Sequence, residues 1–138
     1  MNEQANIEVI RSIYAAFNAA DLTAVMSLIA DDATWHNQGA ANVPYAGSYN
    51  GKTEIPHFFQ AIAESTTGGA VVAEEFIAQG ERVVALGHYR ATVRSTGAQI
   101  DCPVAHVFSV RGGKIVSWEG YSDTVQVAAA HTPQTVAV

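Results

Sequence analysis

Hydrophobic positions follow two regimes along this chain, and the change between them lies near residue 70. Before it they recur every three or four residues. Ile7, Ile10, Tyr14 and Phe17 form one stripe of an amphipathic helix over Asn2 to Ala20, with Glu3, Glu8 and Arg11 elsewhere. Asp21 is placed to cap a second helix, because its carboxylate can accept from the free amides of the next turn; Leu22, Val25, Met26 and Ile29 then share a face, and Asp31-Asp32 ends it. A short strand from Ala33 to Asn37 puts Trp35 and Asn37 on one side, Thr34 and His36 on the other. Residues 38 to 51 hold Gly39, Pro44, Gly47 and Gly51 around Tyr45 and Tyr49, the composition of an ordered loop able to lie across a pocket mouth. Thr53 is the expected cap of a third helix with Pro56 in its first turn, Ile55, Phe58, Phe59 and Ile62 on its buried side, and Gly68-Gly69 as its stop.

After residue 70 the period is two, over runs 71–79, 82–94, 98–111 and 114–123. Gly112-Gly113, between Arg111 and Lys114, supplies the positive φ of a tight hairpin. Connections this short imply antiparallel neighbours in a meander. Three helices followed by an antiparallel sheet predict an α+β domain with the helices on one sheet face. The segment from Thr124 to Val138 either closes the fold or frays.

Composition narrows this picture. The 138 residues suit one domain, 1–138, and an apolar content of 49% against 14% charged gives a large core and a thinly charged surface open to self-association. A net charge of −6 with no basic cluster argues against nucleic acid. No apolar run is long enough to span a membrane, nothing at the start resembles a secretion signal, and Cys102 is alone, so a cytoplasmic protein without disulfides is expected. No histidine pair has zinc-site spacing, and HExxH and a glycine-rich phosphate loop are absent; neither metal nor cofactor is expected.

Several runs carry a resemblance: Phe17-Asn18-Ala19-Ala20-Asp21-Leu22, Ala30-Asp31-Asp32-Ala33-Thr34, the glycine before the third helix, and Gly113-Lys114-Ile115-Val116-Ser117-Trp118. With the order of elements they resemble the nuclear-transport-factor-2-like superfamily over about residues 5 to 124, leaving 125–138 as a tail. The resemblance implies a cone, a cystatin-like α+β barrel, and a relationship to ketosteroid isomerases, limonene-type epoxide hydrolases and SnoaL-like polyketide cyclases. The isomerase set does not carry over: its base aspartate matches Asn37, its protonated aspartate Ala105, and its tyrosine Ile13, next to Tyr14. The hydrolase Asp-Arg-Asp set matches Tyr89, Gly87 and Gly120, although Trp35-His36-Asn37 and Trp118 are similar to that group. The SnoaL-like group is nearest, through Val43-Pro44-Tyr45-Ala46-Gly47 and Tyr121-Ser122-Asp123-Thr124.

The resemblance implies a cavity faced by Trp35, Asn37, Phe59, Tyr89, Ala105, Trp118 and Gly120, with Tyr14, Phe17 and Phe58 as further ligand-binding residues. Asn37 and Tyr89 would hold a carbonyl or hydroxyl by hydrogen bonds, against the alternative that they are a strand-end amide and a core tyrosine. His106 titrates near neutrality and is the third catalytic candidate. With Ala105 and Val107 assigned to the cavity, alternation turns His106 outward, towards a dimer interface, unless a bulge reverses it. One of Glu74 and Glu75 is expected to face inward as a general acid of raised pKa. Glu119, Tyr121 and Asp123 fall on the outer face. Two functions compete: a cofactor-free isomerase, cyclase or hydratase acting on a small apolar carbonyl- or hydroxyl-bearing compound, and a non-catalytic binder of a lipophilic ligand. A homodimer through the sheet is expected in either case.

Overall fold

The computed structural model describes residues 2–133. Its elements are α1 (Glu3–Asn18), α2 (Leu22–Ser27), β1 (Ile29–Asn37), β2 (Gly47–Asn50), α3 (Gly51–Ser65), β3 (Thr66–Gln79), β4 (Arg82–Val93), β5 (Gln99–Arg111), β6 (Lys114–Ser122) and α4 (Thr124–Ala130). The architecture is α+β: helices pack on a curved, unclosed six-stranded sheet of order β2-β1-β6-β5-β4-β3. Strands β3 to β6 form the antiparallel meander, turning at Gly112 and Gly113 with φ of +57° and +79°. The strand β1 lies parallel to β6, with Trp35 beside Trp118 and Asn37 beside Gly120. A parallel pair cannot close through a hairpin, and here the whole chain from β2 to β5 serves as the crossover.

The joint after α1 shows how sequence fixes position. Asn18 Nδ2 donates to the Val71 carbonyl and the Val71 amide donates to Asn18 Oδ1, both at 2.9 Å. The side chain thereby replaces a strand neighbour next to an irregularity of β3 between Thr67 and Ala70. Ala20 adopts a φ of +57°, and Asp21 caps α2 by accepting from the Ala24 amide at 3.0 Å. Ile10, Ile29, Ile55, Ile100, Phe108 and Ile115 are buried where helices meet sheet. Burying a side chain of this size contributes roughly 1.5–3 kcal/mol.

Several boundaries differ from expectation. The strand β1 begins at Ile29, so Asp31 and Asp32 lie in it rather than ending a helix, and Leu22 is exposed in a helix of only six residues. Residues 47–50 of the expected loop pair with β1 as β2. The cap of α3 is Asn50, not Thr53; the Asn50 amide donates to Glu54 Oε1 at 2.7 Å, and Pro56 lies inside the helix. Gly68 and Gly69 belong to β3 instead of stopping α3, because the helix ends at Ser65. A fourth helix forms in the expected tail, capped by Asp123 on the Gln126 amide at 3.1 Å. Thr96 Oγ1 and Asn42 Nδ2 anchor it by donating to the carbonyls of Ala130 and Ala128, at 2.6 and 3.0 Å. Residues 134–138 of that tail lie outside the described residues. No described helix is long and apolar enough to cross a membrane.

Candidate binding and active site

Between the helices and the inner sheet face lies a cavity of about 90 Å³, several times the space one water requires. Much of its wall is aromatic. Trp35 and Trp118 stack at 5.0 Å between centroids and 22° between planes, a consequence of their pairing across β1 and β6. Phe58 stands 5.4 Å from Trp118 and 5.0 Å from Phe59, while Phe17 reaches Phe59 at 6.1 Å. Trp35 Nε1 is buried and has no hydrogen-bond partner among the described residues.

Towards α1 the wall carries a polar pair. Tyr14 Oη lies 2.8 Å from His106 Nδ1, with both residues buried and the imidazole 5.0 Å from the Trp118 ring. Burial pushes the His106 pKa down to about 4 and raises that of Tyr14, so both are neutral at pH 7. Nδ1 is the described partner of the phenol and Nε2 has none described: with the phenol donating, Nε2 carries the imidazole proton, and with Nδ1–H donating, Nε2 is an acceptor. The pair presents a neutral imidazole nitrogen to the cavity, as donor or acceptor by its tautomer.

Towards α4 the wall carries phenols. Tyr45 and Tyr89 line this end with Val104 and Val127, and neither hydroxyl has a hydrogen-bond partner of acceptable geometry although both are buried. The two are neighbours nevertheless. Burial and then the proximity of Tyr89 push Tyr45 up; burial pushes Tyr89 up, and the nearby hydroxyls of Thr66 and Tyr45 offset this only in part. Asn37 holds the loop that delivers Tyr45, donating from Nδ2 to the Tyr45 carbonyl at 3.3 Å.

Of the expected residues, Tyr14, Phe17, Trp35, Asn37, Phe58, Phe59, Tyr89, His106 and Trp118 line this cavity. His106 is a correction, since it faces inward. Its partner is another: Ala105 faces the outer groove with Leu86, His88 and Pro103. No bulge is needed, for β5 alternates regularly with Ile100, Cys102, Val104, His106, Phe108 and Val110 inward. Gly120 also differs from expectation: it faces inward but forms no wall, because a Cβ there would lie 2.3 Å from Trp118 Cη2 and 2.9 Å from Asn37 Oδ1. Its missing side chain makes room for both. Neither Glu74 nor Glu75 faces inward; an irregularity of β3 between Ala73 and Glu75, opposite Gly87, leaves both exposed. No carboxylate lines the cavity among the described residues.

Comparison with known proteins agrees with this geometry. No curated protein matches the sequence. A nuclear-transport-factor-2-like protein from Burkholderia thailandensis is 34% identical, with a TM-score of 0.85 over 96% of this chain and 100% of its own. A similar protein of unknown function from Burkholderia pseudomallei is 28% identical, with a TM-score of 0.87 over 96% and 99%. TerC, co-crystallised with polyporic acid, is 27% identical, with a TM-score of 0.84 over 92% and 98%. The family model of the SnoaL-like domain matches residues 10–118, a span that contains Tyr14, Asn37, Tyr45, Tyr89 and His106, and the chain belongs to the SnoaL-like domain family.

Proposed function

We propose that the chain is a cofactor-independent enzyme of the isomerase, cyclase or hydratase type that acts on a small apolar carbonyl compound, with His106 as its acid–base group. The single observation that carries this reading is the neutral Tyr14–His106 pair set in an aromatic wall, with Nε2 open to the cavity. With the phenol donating to Nδ1, Nε2–H donates to a carbonyl oxygen and stabilises the negative charge that develops there. In the other tautomer Nδ1–H donates to Tyr14 Oη and the Nε2 lone pair takes a proton from the carbon next to the carbonyl, leaving an enolate beside an imidazolium that returns the proton to carbon. An imidazole with a pKa of about 4 is a weak base, so the carbon acid must be activated by a second carbonyl or an aryl ring. Asn37 acts here by positioning Tyr45. The co-crystallisation of TerC with polyporic acid is compatible with such a ligand class.

The test uses deoxybenzoin, a ketone whose benzylic carbon is activated by a ring, in D2O. Native protein is expected to bind it and to speed exchange of the benzylic protons at least tenfold, and H106Q to remove the acceleration while keeping binding. Binding without exchange would favour the second reading, a non-catalytic lipophilic binder, which the lack of any carboxylate on the cavity wall supports.

We further infer that two copies pair through the outer sheet face. Val72 and Ile77 are 47% and 50% exposed there. Glu74 with His88 and Arg90 with Asp101 supply both charge signs, which a two-fold axis can match. A solution mass of two chains at micromolar concentration, reduced to one by Val72→Glu, is expected; a single-chain mass for the native protein overturns the pairing.

A further inference from the structure

The cavity has two polar ends, and only one of them has been given a task. His106 and Cys102 lie four residues apart on β5, and Tyr89 is the register partner of Cys102 on β4. Tyr89 and His106 thus share the inner face at backbone positions roughly 13 Å apart along the strand, at about 3.3 Å per residue. The stacked Trp35 and Trp118 stand at the His106 end, since Trp118 is the register partner of Phe108 and Gly120 that of His106, and Val104 lies on the face between His106 and Tyr89. The far end holds two phenol hydroxyls that are buried and without a partner of acceptable geometry, an arrangement that costs about 1–3 kcal/mol for each group left unsatisfied. Thr66 cannot relieve them as a donor, since its own hydroxyl donates to the Ile62 carbonyl at 2.7 Å.

Resting on the reading of His106 above, we propose that Tyr45 and Tyr89 form a second, specificity-determining subsite, so that the substrate is an elongated, uncharged, mainly apolar molecule with oxygen functions at both ends. One oxygen, the carbonyl, lies at the His106 end, where Nε2 takes the proton of the adjacent carbon. The other, a hydroxyl or a second carbonyl, takes the phenol protons and can return a proton to a phenol oxygen. Lys and Arg are absent from the wall, and both phenols are held in their neutral form by burial. A ligand anion at this end would meet no compensating charge. The aromatic wall beside His106 matches an aryl or conjugated group next to the carbonyl, packed against Trp118 and Phe59, and the apolar stretch at Val104 matches the path to the phenols. Asn37 contributes by fixing the Tyr45 backbone, and so acts on this subsite as a positioning residue.

The experiment compares deoxybenzoin with its derivative bearing a para-hydroxyl on the benzyl ring, which adds one oxygen at the end remote from the carbonyl. Calorimetric titration of the native protein is expected to show the hydroxylated probe binding five- to tenfold more tightly, the worth of one well-made hydrogen bond. Tyr89→Phe and Tyr45→Phe should each shrink that advantage towards unity and leave deoxybenzoin affinity within twofold. H106Q should abolish benzylic exchange in both probes and preserve the advantage. Equal affinity of the two probes for the native protein, or an advantage that survives in the double Tyr45→Phe, Tyr89→Phe variant, overturns the subsite while the exchange result still stands for His106. An advantage without any exchange leaves the subsite standing and overturns the enzyme reading. Binding of neither probe overturns both.

Discussion

Inner and outer faces of β4, β5 and β6 carry the same kinds of polar side chain under opposite conditions. On the inner face His106 is paired with a phenol, buried, and held neutral. On the outer face His88 contacts Glu74 with both side chains about half exposed, and Arg90 meets Asp101 at 3.4 Å. Tyr89 keeps an unpartnered hydroxyl inside, whereas Tyr121 outside donates to Glu119. The contrast teaches where chemistry can reside in this fold. Outside, solvent satisfies each group and weakens each charge. Inside, burial holds these groups neutral, and a donor without a protein partner is available to a ligand of the right shape.

The largest effects should come from the inner face. Trp118 is 6% exposed and touches Trp35, Phe58 and His106. Trp118→Ala is expected to cost about 3–5 kcal/mol in denaturant unfolding, against well under about 1 kcal/mol for Tyr121→Ala outside. Comparable losses would show that the inner face is not the core. Next comes acid. The folded pKa of His106, about 4, lies below its ordinary 6.5, so between those values the unfolded chain binds a proton that the native chain does not. Stability is therefore full above about pH 6.5 and falls as the pH drops towards 4, by up to roughly 3 kcal/mol. H106Q should flatten that slope in urea titrations at successive pH values. An unchanged slope in H106Q would contradict the burial of a neutral imidazole.

How much of this was legible in the residues alone depends on which pattern was read. The period change at residue 70 and the Gly112-Gly113 turn located the meander, and Asp21 marked its helix, because those signals are local. The inward facing of His106 was also legible. Ile100, Cys102, Val104, Phe108 and Val110 form the large apolar set on β5 and His106 falls on their parity; an assignment through the family's aspartate position put Ala105 there instead. The remaining differences have other causes. The exposure of both Glu74 and Glu75 needs the β3 irregularity, which responds to Gly87 on the neighbouring strand: a Cβ there would come 2.0 Å from the Val72 carbonyl oxygen. The role of Tyr45 was hidden in a loop whose path depends on Asn37 and on α4, and no periodicity reports on such contacts. The Pro44-Tyr45-Ala46-Gly47 run was the available signal, an aromatic residue held among turn formers.

The smallest expected effect lies outside and sharpens the contrast most. Arg90 and Asp101 are 61% and 59% exposed, and an ion pair so placed contributes about 0.2–1 kcal/mol, less as salt screens it. At dilutions where the solution mass is that of one chain, Arg90→Gln should therefore change unfolding free energy by no more than this, and the difference should vanish in 1 M salt. Where two copies pair, the same arginine loses solvent and its removal leaves Asp101 in a drier contact. The cost of Arg90→Gln should then grow with protein concentration, since unfolding also separates the copies. A penalty independent of concentration would confine the pair to a solvated surface and exclude it from the contact between copies.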